Sequence, residues 1–208
     1  MDEHDKIARI FAKIEAEKRT GLVLFLTVGF PDLEATLELV PELVKAGADA
    51  IELGIPFSDP LADGRMIQKT SFHALQQGAN VHVAIDVLTQ IRNDNRHVPL
   101  IFMGYLNPFM QFGLEQFLSE SATAGLDGLI VADLPAEESG PLKMICNQHG
   151  VYLIPLLAPT SPDDRIAQAC QDAKGFIYCV SLAGVTGARQ ELTAGLPDLV
   201  ARIRRHTK

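Results

Sequence analysis

Short apolar runs alternate with longer amphipathic segments along the chain from residue 22 onward. The runs lack the polar alternation of a strand that has one face in solvent, and such continuous runs are typical of parallel strands buried on both faces. There are six of them, at residues 22–28, 49–53, 99–103, 128–132, 152–157 and 175–181. The pattern therefore predicts six strands of a parallel sheet.

The segments between these runs have the period of helices. After the first run, Leu37, Val40 and Val44 fall on one helical face, while Asp32 takes the N-cap position and Gly47 ends the helix. An N-terminal helix is marked by apolar residues at the same spacing from Ile7 onward. Further helices are predicted at 81–94, 113–125, 137–150, 161–174 and 196–207.

A short frame, A-G-x-D-[AG]-[IL], occurs twice, at residues 46–51 and 124–129, each time leading into a strand. Repeated βα units with right-handed crossovers favour a TIM (β/α)8 barrel, and the alternative is an open doubly wound sheet. No G-x-G-x-x-G follows the first strand, which weakens the dinucleotide-binding form of the open sheet. We predict one barrel domain over residues 1–208, incomplete at its C-terminal end because only about six of the eight βα units are present.

Charge and cysteine content narrow the functional class. The formal net charge is −8, without the basic stripe that a nucleic-acid-binding surface needs. The three cysteines, Cys146, Cys170 and Cys179, match neither a disulfide framework nor a zinc site, which favours a cytoplasmic protein. No apolar stretch is long enough to predict a transmembrane helix.

Glu52 is the most unusual residue at a predicted strand end, because it interrupts an otherwise apolar strand. In parallel α/β architectures, ligands bind outside the carboxyl ends of the strands. A carboxyl facing the interior would have a raised pKa and could act as a general acid or base. A carboxylate facing outward would instead form a structural ion pair with a helix, and from strand position alone both interpretations stay open.

A second acidic residue, Asp63, follows in a turn bounded by Pro60 and Gly64. On its position alone it is either the N-cap of a helix that begins near Met66 or a second carboxylate of a site. No histidine or lysine stands at a strand end, so neither a metal site nor a Schiff-base mechanism is supported. The mechanism that the residues do support is proton transfer between carboxylates, which is typical of a lyase or an isomerase.

Several longer motifs together resemble one family. In chain order they are FLTVGFP (25–31), AGADAIELGIPFSDPLADG (46–64), GYLNP (104–108), GLIVADLPAEES (128–139), LLAPTS (156–161) and SLAGVTGA (181–188). Their order and content resemble the α subunits of tryptophan synthase over essentially the whole chain. The block E-L-G-x-P-F-S-D-P-x-A-D-G is far more specific than an isolated glycine motif.

This resemblance implies a lyase of tryptophan biosynthesis that cleaves indole-3-glycerol phosphate to indole and glyceraldehyde 3-phosphate by a retro-aldol reaction. It implies no cofactor in this chain, and a β-subunit partner that carries pyridoxal phosphate in an α2β2 assembly. The family's catalytic glutamate and aspartate fall on Glu52 and Asp63. Supporting or substrate-binding roles fall on Phe25, Tyr105, Asp133, Leu156, Tyr178, Thr186 and Gly187.

Two other functions compete with this one. Other phosphate-binding barrels of histidine or tryptophan biosynthesis would show a strand-end lysine or a pair of strand-end aspartates, where this chain has Thr27 and Leu156. A catalytically impaired partner or activator of the β subunit is the other alternative. It is suggested by the missing seventh and eighth βα units, whose loops hold the substrate phosphate in many barrels.

Overall fold

The computed structural model describes residues 5–171, 173–180 and 195–207, in which short parallel strands alternate with helices. The strands are β1 (Val23–Thr27), β2 (Ala50–Gly54), β3 (Leu100–Gly104), β4 (Gly128–Val131), β5 (Tyr152–Leu153), β6 (Leu156–Leu157) and β7 (Tyr178–Cys179). The helices are α1 (Lys6–Ala16), α2 (Leu33–Lys45), α3 (Arg65–Gln76), α4 (Val81–Asp94), α5 (Leu106–Phe112), α6 (Leu114–Thr123), α7 (Gly140–Gln148), α8 (Asp163–Gln171) and α9 (Leu196–Ile203), with a short 3-10 helix at Ala136–Glu138. Asp32 caps α2 as expected, because its side chain accepts the Ala35 N–H at 2.7 Å.

The strands pair in chain order and all in parallel, from β1 to β5, and β6 pairs with β7 in a second small sheet. The predicted fifth strand, residues 152–157, is therefore wrong as a single strand, since it divides into β5 and β6. Pro155 lies at the division and has no N–H to donate to a neighbouring strand. As a result β5 pairs with β4, whereas β6 pairs with β7.

Side chains from successive strands meet on the concave side of the sheet, which shows that the strands curve around a common interior. Ala50 of β2, Ile101 of β3 and Ile130 of β4 form a buried cluster. Its further members are Ile7, Met103, Tyr152, Ile154, Leu156, Phe176 and Tyr178. Because Ile7 belongs to α1, that helix closes the N-terminal end of this partial barrel.

The opposite faces of the strands pack against the helices in a larger outer core. Ile51 and Leu53 of β2 belong to this outer core, as do Phe102 of β3 and Leu129 of β4. Since side chains alternate along a strand, Glu52 lies on the same face as Ala50. The β2 sequence thus places one carboxyl group inside the barrel.

The two copies of the A-G-x-D frame perform the same structural task. Asp49 accepts the backbone N–H of Leu22 at 2.8 Å, and Asp127 accepts that of Leu100 at 2.9 Å. Each carboxylate also binds an arginine, Arg19 or Arg92, and so ties the starts of two neighbouring strands together at the N-terminal end of the barrel.

Within residues 5–171, 173–180 and 195–207, no helix combines the length and the apolar character that a membrane span requires.

Candidate active site

Glu52 is the central residue of β2, where its side chain is held inside the barrel and is only 5% exposed. Burial penalises the charged form of the carboxyl group and raises its pKa from an ordinary 4.5 to about 7. No ion pair involves Glu52 in the part of the chain that the structure describes. The outward-facing ion pair considered from the sequence is therefore not found there, and the carboxyl group is poised to gain and lose a proton near neutral pH.

Tyr178 of β7 lies in the same interior as Glu52. Burial raises the pKa of the Tyr178 hydroxyl, and the nearby Glu52 charge raises it further. The two groups come from β2 and β7, which are far apart in the sequence. Because the strands curve around the interior, Tyr178 comes close enough to Glu52 for the two groups to influence each other.

Asp63 lies in the loop between β2 and α3, and its side chain does not cap that helix. Gly64 takes the N-cap position of α3, which has no side-chain capping bond. Burial raises the pKa of the Asp63 carboxyl, and the neighbouring Tyr105 hydroxyl acts in the opposite direction. The capping interpretation is therefore wrong, and the carboxyl group is available to a ligand.

The loop that carries Asp63 is fixed by three contacts with its neighbours. The Ala62 N–H donates to the Tyr105 hydroxyl at 3.0 Å, and the Gln68 side-chain amide donates to the Asp63 carbonyl at 2.9 Å. The Phe57 ring lies over the Tyr105 ring, with their centroids 5.3 Å apart. These contacts fix the position of Asp63 from both sides of the loop.

A small cavity of about 20 Å³ opens beside Asp63. Its lining comes from the ends of β1 to β4 and from α3: Phe25, Gly54, Ile55, Asp63, Ile67, Ser71, Met103, Gly104, Tyr105 and Ala132. The Phe25 ring lies against Gly54, where an added Cβ would come within 2.4 Å of its Cζ. Ligand sites usually measure roughly 300–1,000 Å³, so this cavity is much smaller than a typical ligand site, and the Phe25 ring occupies space at its edge.

The remaining predicted site residues divide into three groups. Asp133 accepts the Leu106 N–H at 2.8 Å, which ties the end of β4 to the start of α5, and its charge acts on Tyr105. Leu156 packs in the barrel interior and also borders a separate cavity of about 230 Å³, whose lining does not include Glu52 or Asp63. Thr186 and Gly187 lie outside the described residues.

Some residues of the site were not found by reasoning from the sequence. Gly54 makes room for the Phe25 ring, and Gln68 holds the Asp63 backbone. A glycine that ends a buried strand, with an aromatic residue on the neighbouring strand before it, is the signal that could have indicated Gly54. Within residues 5–171, 173–180 and 195–207, no group of three or more His, Cys, Asp or Glu side chains could hold a metal ion.

Comparison with known proteins gives one consistent result. A family profile described as tryptophan synthase alpha chain matches residues 11–208. The tryptophan synthase alpha chain of Roseiflexus castenholzii is 48% identical over 202 residues, which are 97% of this chain and 77% of that protein. A Mycobacterium tuberculosis tryptophan synthase structure superposes with a TM-score of 0.90 at 32% identity, over 97% of this chain and 76% of that chain.

A structure described as the tryptophan synthase a2b2 complex from Pyrococcus furiosus is similar as well. Its TM-score is 0.82 at 38% identity, over 89% of this chain and 74% of that chain. Agreement of this extent with solved structures confirms the predicted (β/α)8-barrel class. The matched profile, the sequence identity and the shared structure all lead to one conclusion: this chain belongs to the tryptophan synthase alpha chain family.

Proposed function

We propose that this chain cleaves indole-3-glycerol phosphate to indole and glyceraldehyde 3-phosphate by a retro-aldol reaction. Membership of the family gives the chain its role in tryptophan biosynthesis. The observation that carries the proposal is the Glu52 carboxyl group, which is buried inside the barrel with a pKa raised to about 7. A group with that pKa can both donate and accept a proton in neutral solution.

Glu52 performs the proton transfers in this proposal. Its protonated form donates to C3 of the indole ring, which turns the ring into an acceptor for the electrons of the carbon–carbon bond. The resulting carboxylate then takes the proton of the glycerol hydroxyl on the adjacent carbon. As that hydroxyl becomes an aldehyde, the bond to the ring breaks and its electron pair returns to the indole. Tyr178, which faces Glu52, orients the carboxyl group.

Asp63 stabilises the positive charge that develops on the ring. Its ionised carboxylate accepts the indole N–H and lies where the charge appears after protonation at C3. Phe25, Tyr105 and Leu156 form the apolar walls around the ring in this arrangement. By family resemblance, Asp133 lies at the approach to the pocket, while Thr186 and Gly187 belong to a loop that closes over the substrate.

The proposal extends to partners, cofactors and location. A β subunit binds this chain in an α2β2 assembly, supported by the a2b2 complex among its structural relatives. Pyridoxal phosphate belongs to that β subunit, and this chain uses its carboxyl groups without a cofactor of its own. We place the complex in the cytoplasm and treat residues 1–208 as a single barrel domain.

Release of indole from indole-3-glycerol phosphate tests the proposal directly. The chain is assayed alone and with a β subunit, beside Glu52→Gln and a matched control, Glu38→Gln, which changes an exposed glutamate of α2. We expect release from the parent chain and the control, and a loss of at least about a hundredfold in Glu52→Gln. Unchanged release from Glu52→Gln would refute the role of Glu52. If the parent chain stimulates the β subunit without releasing indole, the impaired-partner alternative replaces the enzyme.

A further inference from the structure

Tyr105 makes more specific contacts than an apolar wall of a pocket requires. It directly follows β3 and is 4% exposed. Its hydroxyl oxygen accepts the N–H of Ala62, the residue that precedes Asp63. Tyr105 and Asp63 also line the same small cavity. The hydroxyl group therefore reaches from the β3 end to the loop after β2, beside the proposed catalytic carboxylate.

We propose that Tyr105 is a positioning residue, whose hydroxyl accepts the Ala62 N–H and donates to the Asp63 carboxylate, so that Asp63 is held ionised and directed into the site. The inference rests on the proposed function, because it assigns Tyr105 a task in the same reaction. A tyrosine hydroxyl has one proton to donate, and the Ala62 N–H already occupies one of its lone pairs. The proton is thus free for the carboxylate.

The surroundings of Tyr105 and Asp63 make the ionisation of Asp63 depend on the proposed hydrogen bond from the Tyr105 hydroxyl. Of the described residues that line the cavity, Asp63 and Tyr105 are the ionisable ones. Asp133, at the end of β4, adds a negative charge near Tyr105 and opposes ionisation of its hydroxyl. Phe57 packs against the tyrosine ring, and Tyr105 as a whole is almost inaccessible to solvent. Asp63 is half-buried, and a carboxylate that is partly removed from water depends more strongly on each hydrogen bond it accepts.

Loss of the hydroxyl has a defined consequence for Asp63. Burial raises the pKa of the Asp63 carboxyl, and the bond from Tyr105 is the opposing influence. In Tyr105→Phe the ring remains and the bond is lost, so the pKa of Asp63 rises further. A carboxylate that must be ionised to act is then protonated up to a higher pH. The effect is a pH-dependent loss of rate rather than a uniform one.

The test compares Tyr105→Phe with Tyr152→Phe, the same chemical change at the opposite end of the barrel, where the Tyr152 hydroxyl donates to Asp5. Indole release is measured against pH for the full chain with its β subunit. For Tyr105→Phe we expect kcat to fall by about tenfold or more at neutral pH and the acidic limb of the profile to move to higher pH. The control should keep the acidic limb of the parent protein.

A second measurement does not depend on activity. The Asp63 carboxyl is titrated by NMR with carboxyl-labelled aspartate, and the signal is assigned by its loss in Asp63→Asn. The Asp63 midpoint should move to higher pH in Tyr105→Phe and stay in place in Tyr152→Phe. If the parent chain releases no indole while this midpoint moves, the proposed function fails and the Tyr105–Asp63 link stands.

Two results would overturn the inference. One is an Asp63 midpoint that does not move in Tyr105→Phe. The other is a rate loss of equal size at every pH, which would indicate that the tyrosine acts through packing alone. Thermal unfolding of both tyrosine variants shows whether they are folded, and a folded Tyr105→Phe without either change is a negative result.

Discussion

Replacing Glu52 with glutamine should stabilise the protein, and more so as the pH rises. Glutamine has nearly the same shape as glutamate and cannot ionise, so the substitution removes the charge while it keeps the packing. The folded protein retains the Glu52 proton at pH values where the unfolded chain has already lost it. The Glu52 side chain therefore lowers the stability of the folded state as the pH rises through this range.

The size of the effect follows from the pKa difference. Burial raises the Glu52 pKa from 4.5 to about 7, and each unit corresponds to about 1.4 kcal/mol. The free energy of unfolding of the parent chain should thus lose roughly 3.5 kcal/mol through this residue. The loss begins near pH 4.5 and is largely complete above pH 7. Glu52→Gln should not show this loss.

Urea unfolding, followed by circular dichroism at several pH values from about 5 to 8, measures the difference between the two proteins. Glu38→Gln serves as the matched control for removing one carboxylate from the surface. The stability gained by Glu52→Gln over the parent should grow by about 2–3 kcal/mol across this range. A gain that is constant with pH, or that shrinks as the pH rises, would refute the assignment of a raised pKa to buried Glu52.

Three further substitutions test other parts of the site and fold. Asp63→Asn should lower kcat at least about a hundredfold and change the free energy of unfolding by less than about 1 kcal/mol, because its side chain caps no helix; a large loss of stability would contradict this. Gly54→Ala should push the Phe25 ring into the pocket and raise KM about tenfold, with little change in Tm, as steady-state kinetics and thermal unfolding will show. Asp127→Ala should cost roughly 3 kcal/mol in urea unfolding, since Arg92 then loses its buried partner; a cost below about 1 kcal/mol would show that the pair is not structural.

Much of the fold could be predicted from the sequence, because the strands are buried on both faces and therefore continuous in hydrophobicity. The helix over 81–94 was predicted with the bounds it has in the structure. The pattern did not show that residues 152–157 form two strands, since the apolar run continues through Pro155 and only pairing with different neighbours separates β5 from β6. The seven-residue α5 was also missed, because it is too short to establish a helical period.

For the candidate site as well, the sequence predicts which residues are candidates but not the contacts between residues that are distant in the sequence. Sequence position marked Glu52 and Asp63 as candidates, but the direction of each side chain depended on tertiary structure. In the structure Ile51 and Leu53 pack against the helices, and this contact places Glu52 on the inner face of β2. The sequence does not contain that contact. The contact between Tyr105 and Ala62 joins two loops that are distant in the sequence, so no local pattern indicates it.

The paired roles of Asp49 and Asp127 have a consequence for how the barrel can be divided. One carboxylate joins β1 to β2 and the other joins β3 to β4. The repeating unit is therefore a pair of neighbouring strands whose N-terminal ends are joined by a hydrogen bond. A chain break or an exchange of segments between β2 and β3 leaves both of these bonds intact. An exchange with its boundary inside either pair would instead bring the carboxylate and the N–H that it accepts from two different sources. The first four strands can therefore be regarded as two modules, β1–β2 and β3–β4, and the boundary between them lies in the segment from Asp63 to α4.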